Sequence, residues 1–174
     1  DIHAALGLDT LAVKPMPAVW REGRLFDFEA RIRPVVRCDL AGDRRRSRER
    51  DAFLTALPTA PGEDKDQYQH IDREAVYREW LGRELSRDDA AVPLAGTLRM
   101  TAFQRTRVQR RSHPGDDGRR PFRAPEGPDA VFTGSLQVCS GEAFGALVRR
   151  GIGRHRSFGF GMLLLRPRRG RDPC

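Results

Sequence analysis

An α+β fold, with helices on one face of a four-stranded antiparallel sheet, follows from three features of the sequence. Some segments alternate apolar and polar residues at the period of a half-buried strand. Others place apolar residues at helical spacing behind residues suited to capping. In chain order these elements run strand, helix, strand, strand, helix, strand, the split βαβ or ferredoxin-like (RRM-like) pattern.

Residues 1–24 read as a linker carrying the remnant of a preceding domain: a short apolar stretch from Leu6 to Val13, then Pro15 and Pro17. The opening Asp1-Ile2-His3 has neither an initiator Met nor a signal pattern and reads as cut from a longer chain. The folded domain is expected over 25–167. Its first strand sets Phe26, Phe28, Ala30 and Ile32 against Asp27, Glu29, Arg31 and Arg33, and Pro34 ends or bends it. Residues 39–71, with five arginines between Arg44 and Arg50, read as a flexible basic and polar insertion holding at most a short helix near Phe53 and Leu57. Asp72 then caps a helix in which Val76, Tyr77, Trp80, Leu81, Glu84 and Leu85 fall at helical spacing with an apolar face. A second strand spans Thr97 to about Val108. After the turn signal His113-Pro114-Gly115, a third runs from Ala130 to Val138 with Phe132, Gly134, Leu136 and Val138 on one face. Ser140 caps a second helix with Ala143, Phe144, Leu147 and Val148 inward, and Gly151 suits its C-cap. An apolar strand from Met162 to Leu165 closes the domain, with Leu164 expected in the core, and 168–174 form a basic tail.

A length of 174 residues suits one domain, or one domain with part of another. The net charge is +8, and of 32 basic residues only Lys14 and Lys65 are lysine. A GC-rich genome would explain the preference for arginine but not the excess or clustering of charge, which is the footprint of a nucleic-acid binder. No long basic amphipathic helix and no apolar run near ~18 residues is present, so no membrane partner is expected. Cys38, Cys139 and Cys174 lack the spacing of a zinc site or disulfide framework. They read as isolated thiols of a cytoplasmic protein, and no metal or cofactor is expected.

Two segments are the candidate sites. Gly151 to Gly161 reads Gly-Ile-Gly-Arg-His-Arg-Ser-Phe-Gly-Phe-Gly, with Arg154, His155 and Arg156 between Gly151, Gly153, Gly159 and Gly161. Glycines permit positive φ and close backbone approach, so amides can face phosphate oxygens while arginines add charge-assisted contacts. The loop follows a helix and precedes a strand, the wrong order for a dinucleotide or P-loop site. His155 is a candidate for a phosphate or base contact and a weaker one for a catalytic base; His3, His70 and His113 read as surface residues. The second segment joins strands two and three: Arg105, Arg107, Arg110 and Arg111, with Arg119 and Arg120 across the turn, make a ribbon able to track a duplex backbone.

The run Arg150-Gly-Ile-Gly-Arg-His-Arg-Ser-Phe-Gly-Phe-Gly-Met-Leu-Leu-Leu-Arg-Pro167 resembles the C-terminal glycine-rich signature of the CasE family, the repeat-processing endoribonucleases of type I-E CRISPR systems within the RAMP superfamily. Phe26 to Pro34 and Tyr77 to Leu85 are weaker echoes of that family. The resemblance implies the second of two tandem ferredoxin-like domains. It also implies binding of the CRISPR repeat stem-loop, metal-independent cleavage at its 3′ base, and retention on the crRNA in Cascade beside other subunits, including a neighbouring backbone subunit. The family's catalytic histidine belongs to the first domain, so its position is expected outside this chain and no catalytic residue is assigned. The alternative is a non-catalytic RAMP or RRM-like RNA-binding subunit. An RRM-type binder needs exposed aromatics on strands one and three, whereas Phe26, Phe28 and Phe132 fall on faces that read as core.

Overall fold

The structure, a computed structural model, describes residues 16–17, 19–40, 43–57, 71–111 and 122–168. Its elements are β1 (Leu25–Ile32), β2 (Val35–Leu40), β3 (Asp43–Asp51), α1 (Ala52–Ala56), α2 (Arg73–Leu85), β4 (Ala91–Pro93), β5 (Arg99–Arg107), β6 (Arg110–Arg111), β7 (Phe122–Arg123), β8 (Glu126–Val138), α3 (Gly141–Arg150) and β9 (Leu163–Pro167).

Alternation along β1 decides the layers. Phe26, Phe28, Ala30 and Ile32 are buried while Asp27, Glu29 and Arg31 face the other way. β1 pairs antiparallel with β8 on one side, Phe26 opposite Leu136 and Ala30 opposite Phe132, and with β9 on the other. The far edge of β8 is shared: β5 takes Glu126 to Thr133 and β4 takes Leu136 to Val138. The sheet thus holds five strands rather than the four expected, because β4 and β5 share one edge position beside β8.

Both main helices lie on one face. Tyr77, Trp80, Leu81 and Leu85 of α2 and Phe144 and Leu147 of α3 join Phe26, Phe28, Phe132 and Leu136 in a single core. The caps are those the sequence suggests. Asp72 accepts from the Glu74 N–H, Ser140 accepts from the Ala143 N–H, and Gly151, at φ 77°, ends α3 by donating to the Leu147 carbonyl.

Three further expectations need correction. Leu164 is 54% exposed rather than in the core, because β9 alternates too and Leu163 takes the inward position. Part of the stretch 39–71 is regular: residues 43–51 form β3, paired antiparallel with β2 from Val35↔Asp51 outward, and α1 follows with Asp51 as its N-cap. Charge density conceals this strand, since a hairpin partner (Val35 and Val36) supplies the pairing that β3 itself does not advertise. The third concerns Trp20. It lies in the segment read as linker, yet its ring meets Phe26 at 5.6 Å and Phe144 at 5.0 Å between centroids. Gly141 and Gly145, one helical turn apart, make room for it: a Cβ on Gly141 would stand 2.0 Å from the Trp20 carbonyl oxygen.

Beyond Ile32↔Ala130, the last β1 pair, β8 has only β5 as neighbour, so Gln104–Arg107 and Glu126–Asp129 leave the sheet as a two-stranded ribbon. Pro128 is tolerated there because β8 needs no ladder donor on its β1 side.

Leu136 is wholly buried between both helices and the sheet. Leu136→Ala should therefore cost about 2–5 kcal/mol and Leu136→Asp more. Urea unfolding checks this, and a midpoint unmoved in Leu136→Asp would refute the core assignment.

Candidate nucleic-acid interface

The glycine-rich loop is held by protein contacts at nearly every glycine. Gly153, at φ 67°, lies against the Trp80 indole, where a Cβ would fall 2.7 Å from Cη2. Gly161, at φ 81°, crosses the Ile152 backbone, where a Cβ would fall 2.1 Å from the carbonyl oxygen. The N–H groups of Ile152 and Gly161 donate to the carbonyls of Gly161 and Arg31, and those of Phe158 and Gly159 donate within the loop. Packing alone thus demands these glycines at Gly153 and Gly161, whereas Gly159 faces open space.

The basic side chains divide. Arg154 is half exposed and its Nε donates to Glu49 Oε1 at 2.6 Å. The His155 side chain is 5% exposed, with Nε2 2.6 Å from Glu49 Oε2. Arg156 reaches back to the Arg150 carbonyl at 2.7 Å. Burial pushes the Glu49 carboxyl up, but the hydrogen bonds and charges of His155 and Arg154 outweigh it and hold it below its ordinary value.

On the ribbon, Arg105 and Arg107 follow one another on the same face, both largely exposed, and share one carboxylate, Glu126, at 3.1 and 3.5 Å. One acid against two guanidiniums leaves a net positive charge at this point. Arg110 and Arg111 form β6, in register with Arg123 and Phe122 of β7. Arg119 and Arg120 lie outside the described residues, as do His3, His70, His113 and Cys174. Arg105 and His155 line one cleft, with Glu49, Arg50 and Leu54 of the β3–α1 corner opposite Pro125 to Pro128. Loop and ribbon, separate in sequence, are therefore adjacent in space.

The base of the ribbon is fixed by residues the sequence does not single out. Arg33, 3% exposed, donates to the Thr106 carbonyl at 3.3 Å and the Pro125 carbonyl at 3.1 Å. Arg31 makes a bidentate pair with Asp129 at 2.8 and 2.6 Å, and Gln104 adds a third bond. The buried ring of Phe160 lies within 5.0 Å of the Arg31 guanidinium and 5.5 Å of that of Arg33. Arg31 and Arg33 read as solvent-facing because β1 alternates; the available signal is Phe160, an aromatic ring between two glycines, which needs a surface to rest on. By contrast three arginines on or next to α2 are balanced locally: Arg78 pairs with Glu74, Arg83 with Glu79 and, just past the helix, Arg87 with Glu84.

Among the described residues no helix is long and apolar enough to cross a membrane, and no cluster of His, Cys, Asp and Glu could hold a metal ion. The fold and site define a ferredoxin-like domain with a basic ribbon beside an anchored basic loop. The chain belongs to the CRISPR-associated protein family, whose model matches residues 2–167, in keeping with the CasE resemblance of its glycine-rich segment. It is similar in fold to a structure of the CRISPR endoribonuclease Cse3 bound to 19-nucleotide RNA, with TM-score 0.58, 21% identity, and coverage of 88% of this chain and 61% of that one. Thermus thermophilus Cse3 bound to an RNA representing a pre-cleavage complex gives TM-score 0.58 and 20% identity, covering 88% of this chain and 59% of that one. A chain of a CRISPR RNA-guided surveillance complex gives 0.53 and 19%, covering 91% and 66%. The chain thus spans about three fifths of the Cse3 structures. No curated protein matches it.

Burial pushes the Asp129 carboxyl up, but the bonds from Arg31 and Gln104 outweigh it and hold it below the carboxylate range. A depressed folded value means stability fully present above the unfolded value, about 3.9, and lost as pH falls through the folded one. Asp129→Asn should lower the melting temperature at pH 7 and remove part of the loss below about pH 4. An equal difference from the parent at pH 7 and pH 3 would contradict this.

Proposed function

We propose that this chain is the RNA-binding half of a CasE-type repeat-processing endoribonuclease, the second of two tandem domains. It grips the CRISPR repeat stem-loop between the β5–β8 ribbon and the glycine-rich loop. In the complete protein the RNA is cut at the 3′ base of the hairpin without a metal ion, through a histidine of the preceding domain, and the product stays bound within a cytoplasmic Cascade complex. The single observation that carries this reading is the ribbon with two exposed arginines on one carboxylate, adjoining a loop that carries the family's signature. A projecting ribbon suits A-form RNA, whose deep, narrow major groove is met through phosphates and shape rather than base edges.

Two observations refine it. Phe26, Phe28 and Phe132 are 5%, 4% and 0% exposed, so these three offer no stacking platform of the single-strand-binding kind. His155, the one histidine among the described residues, is held by Glu49 and nearly buried. That supports a chain that binds the hairpin and leaves cutting to the other domain.

Arg105→Ala with Arg107→Ala should weaken binding of a labelled repeat hairpin. The slope of log affinity against log salt should flatten by roughly 0.7–0.9 for each phosphate the ribbon no longer neutralises. An unchanged slope would remove the ribbon from the interface. In EDTA, residues 1–174 should bind the hairpin without cutting it. Site-specific cleavage abolished by His155→Ala would instead make His155 the base.

A further inference from the structure

We infer that Glu49 is a positioning residue for RNA: an acid whose work is to hold the glycine-rich loop in its binding shape. The inference rests on the RNA-binding reading of the loop and adds to it a residue from a different element. Glu49 stands on β3 opposite Arg37 of β2, more than a hundred residues before the loop it holds. Each of its oxygens is taken by a different loop residue, Arg154 Nε on one and His155 Nε2 on the other, both at 2.6 Å.

The geometry separates the two basic side chains by role. His155 is turned inward, and its backbone sits in the left-handed region at φ 62° and ψ 26°, a conformation that is strained for a non-glycine residue. A bond to a partly buried carboxylate is of the size needed to offset that strain. Arg154 meets Glu49 through Nε at 2.6 Å, and its side chain is half exposed, so the anchor orients a guanidinium that still reaches solvent. A guanidinium held at Nε and half exposed is oriented to add a charge-assisted phosphate contact. The Trp80 ring beneath Gly153 closes the other side of the loop, so the anchor acts against a rigid backing. His155 is then a link between loop and hairpin rather than a group that meets RNA.

The sign of one substitution separates this from a bystander acid. Removing a negative charge beside a nucleic-acid surface should by Coulomb's law alone strengthen binding. If Glu49 positions the loop, Glu49→Gln should weaken it, by roughly tenfold on the scale of one charge-assisted hydrogen bond. The experiment measures two quantities in the full-length protein: hydrogen exchange of the amides of 152–161 without RNA, and affinity for a labelled CRISPR-repeat hairpin at fixed salt. Glu49→Gln should speed exchange in the loop and weaken binding, and it should cause no further weakening in an Arg154→Ala background. Unchanged loop exchange, or equal or tighter hairpin binding by Glu49→Gln, overturns the inference. If the parent protein fails to bind the hairpin, the RNA reading falls, while the exchange measurement still decides whether Glu49 anchors the loop. Should Glu49→Gln not fold, His155→Ala cuts one arm of the anchor and must speed loop exchange; if it does not, the anchor is refuted.

Discussion

Phe160 lies with its ring against two guanidiniums, those of Arg31 and Arg33, and four parts of the molecule meet around it. Arg31 carries the bond to Asp129 of β8, Arg33 carries the bonds to the base of the ribbon at Thr106 and Pro125, and Phe160 belongs to the glycine-rich loop. Cation–π contacts of this kind are worth ~0.5–2 kcal/mol each, more where water is excluded. Among the described residues Arg33 has no carboxylate in direct contact, and it is almost wholly buried, a costly state that lowers its pKa. Backbone carbonyls serve as its acceptors, and their direction fixes where the ribbon leaves the sheet. Gly127 belongs to the same constraint, since a Cβ there would fall 2.5 Å from the Arg33 terminal nitrogen.

The excess of positive charge is therefore not spread evenly. Arg31, Arg33 and Arg73 are structural: Arg73 packs over Phe53 at 3.9 Å and Phe103 at 4.7 Å, and donates to the buried Tyr77 hydroxyl, which also bonds Asp51. Arg78 and Arg83 of α2 are matched by glutamates at helical spacing. On the ribbon, by contrast, two largely exposed guanidiniums share the single carboxylate of Glu126. Such uneven pairing gives a net charge of +8 local direction.

The fold is largely legible in the sequence because its layers rest on period-2 and helical patterns that survive a high charge content. β1, α2, β8 and α3 declare themselves by Phe26 to Ile32, Tyr77 to Leu85, Phe132 to Val138 and Phe144 to Leu147. β3 does not, because its pairing is lent by Val35 and Val36 and its own residues are almost all charged. Trp20 escapes for a related reason: its partner is a pair of glycines, and the space they leave has no sequence signal of its own. The candidate site is half legible. Composition locates the loop and ribbon, but not the acid that organises the loop, since Glu49 sits among arginines where a carboxylate reads as routine charge balance. The roles of the glycines are also mixed: positive φ is the sequence expectation, but at Gly153 and Gly161 the close approach is to Trp80 and Ile152.

Recognition through phosphates requires cationic groups at fixed separations, because a flexible charge gains affinity without register. Here both cationic elements trace to the same place. The ribbon is oriented by Arg33 and the loop is seated by Phe160 on Arg31 and Arg33, so the end of β1 sets the spacing between them. Glu49 adds the one constraint that β1 cannot supply, the direction of the Arg154 fork, from a hairpin that is itself bent off β1 at Pro34. Phe26, Phe28 and Phe132 leave no open aromatic surface on β1 and β8, and the exposed basic ribbon stands at the end of the sheet instead. In that arrangement Glu49 holds Arg154, Glu126 is shared by Arg105 and Arg107, and Asp129 pairs with Arg31, so each acid constrains the position of an arginine near the end of the sheet.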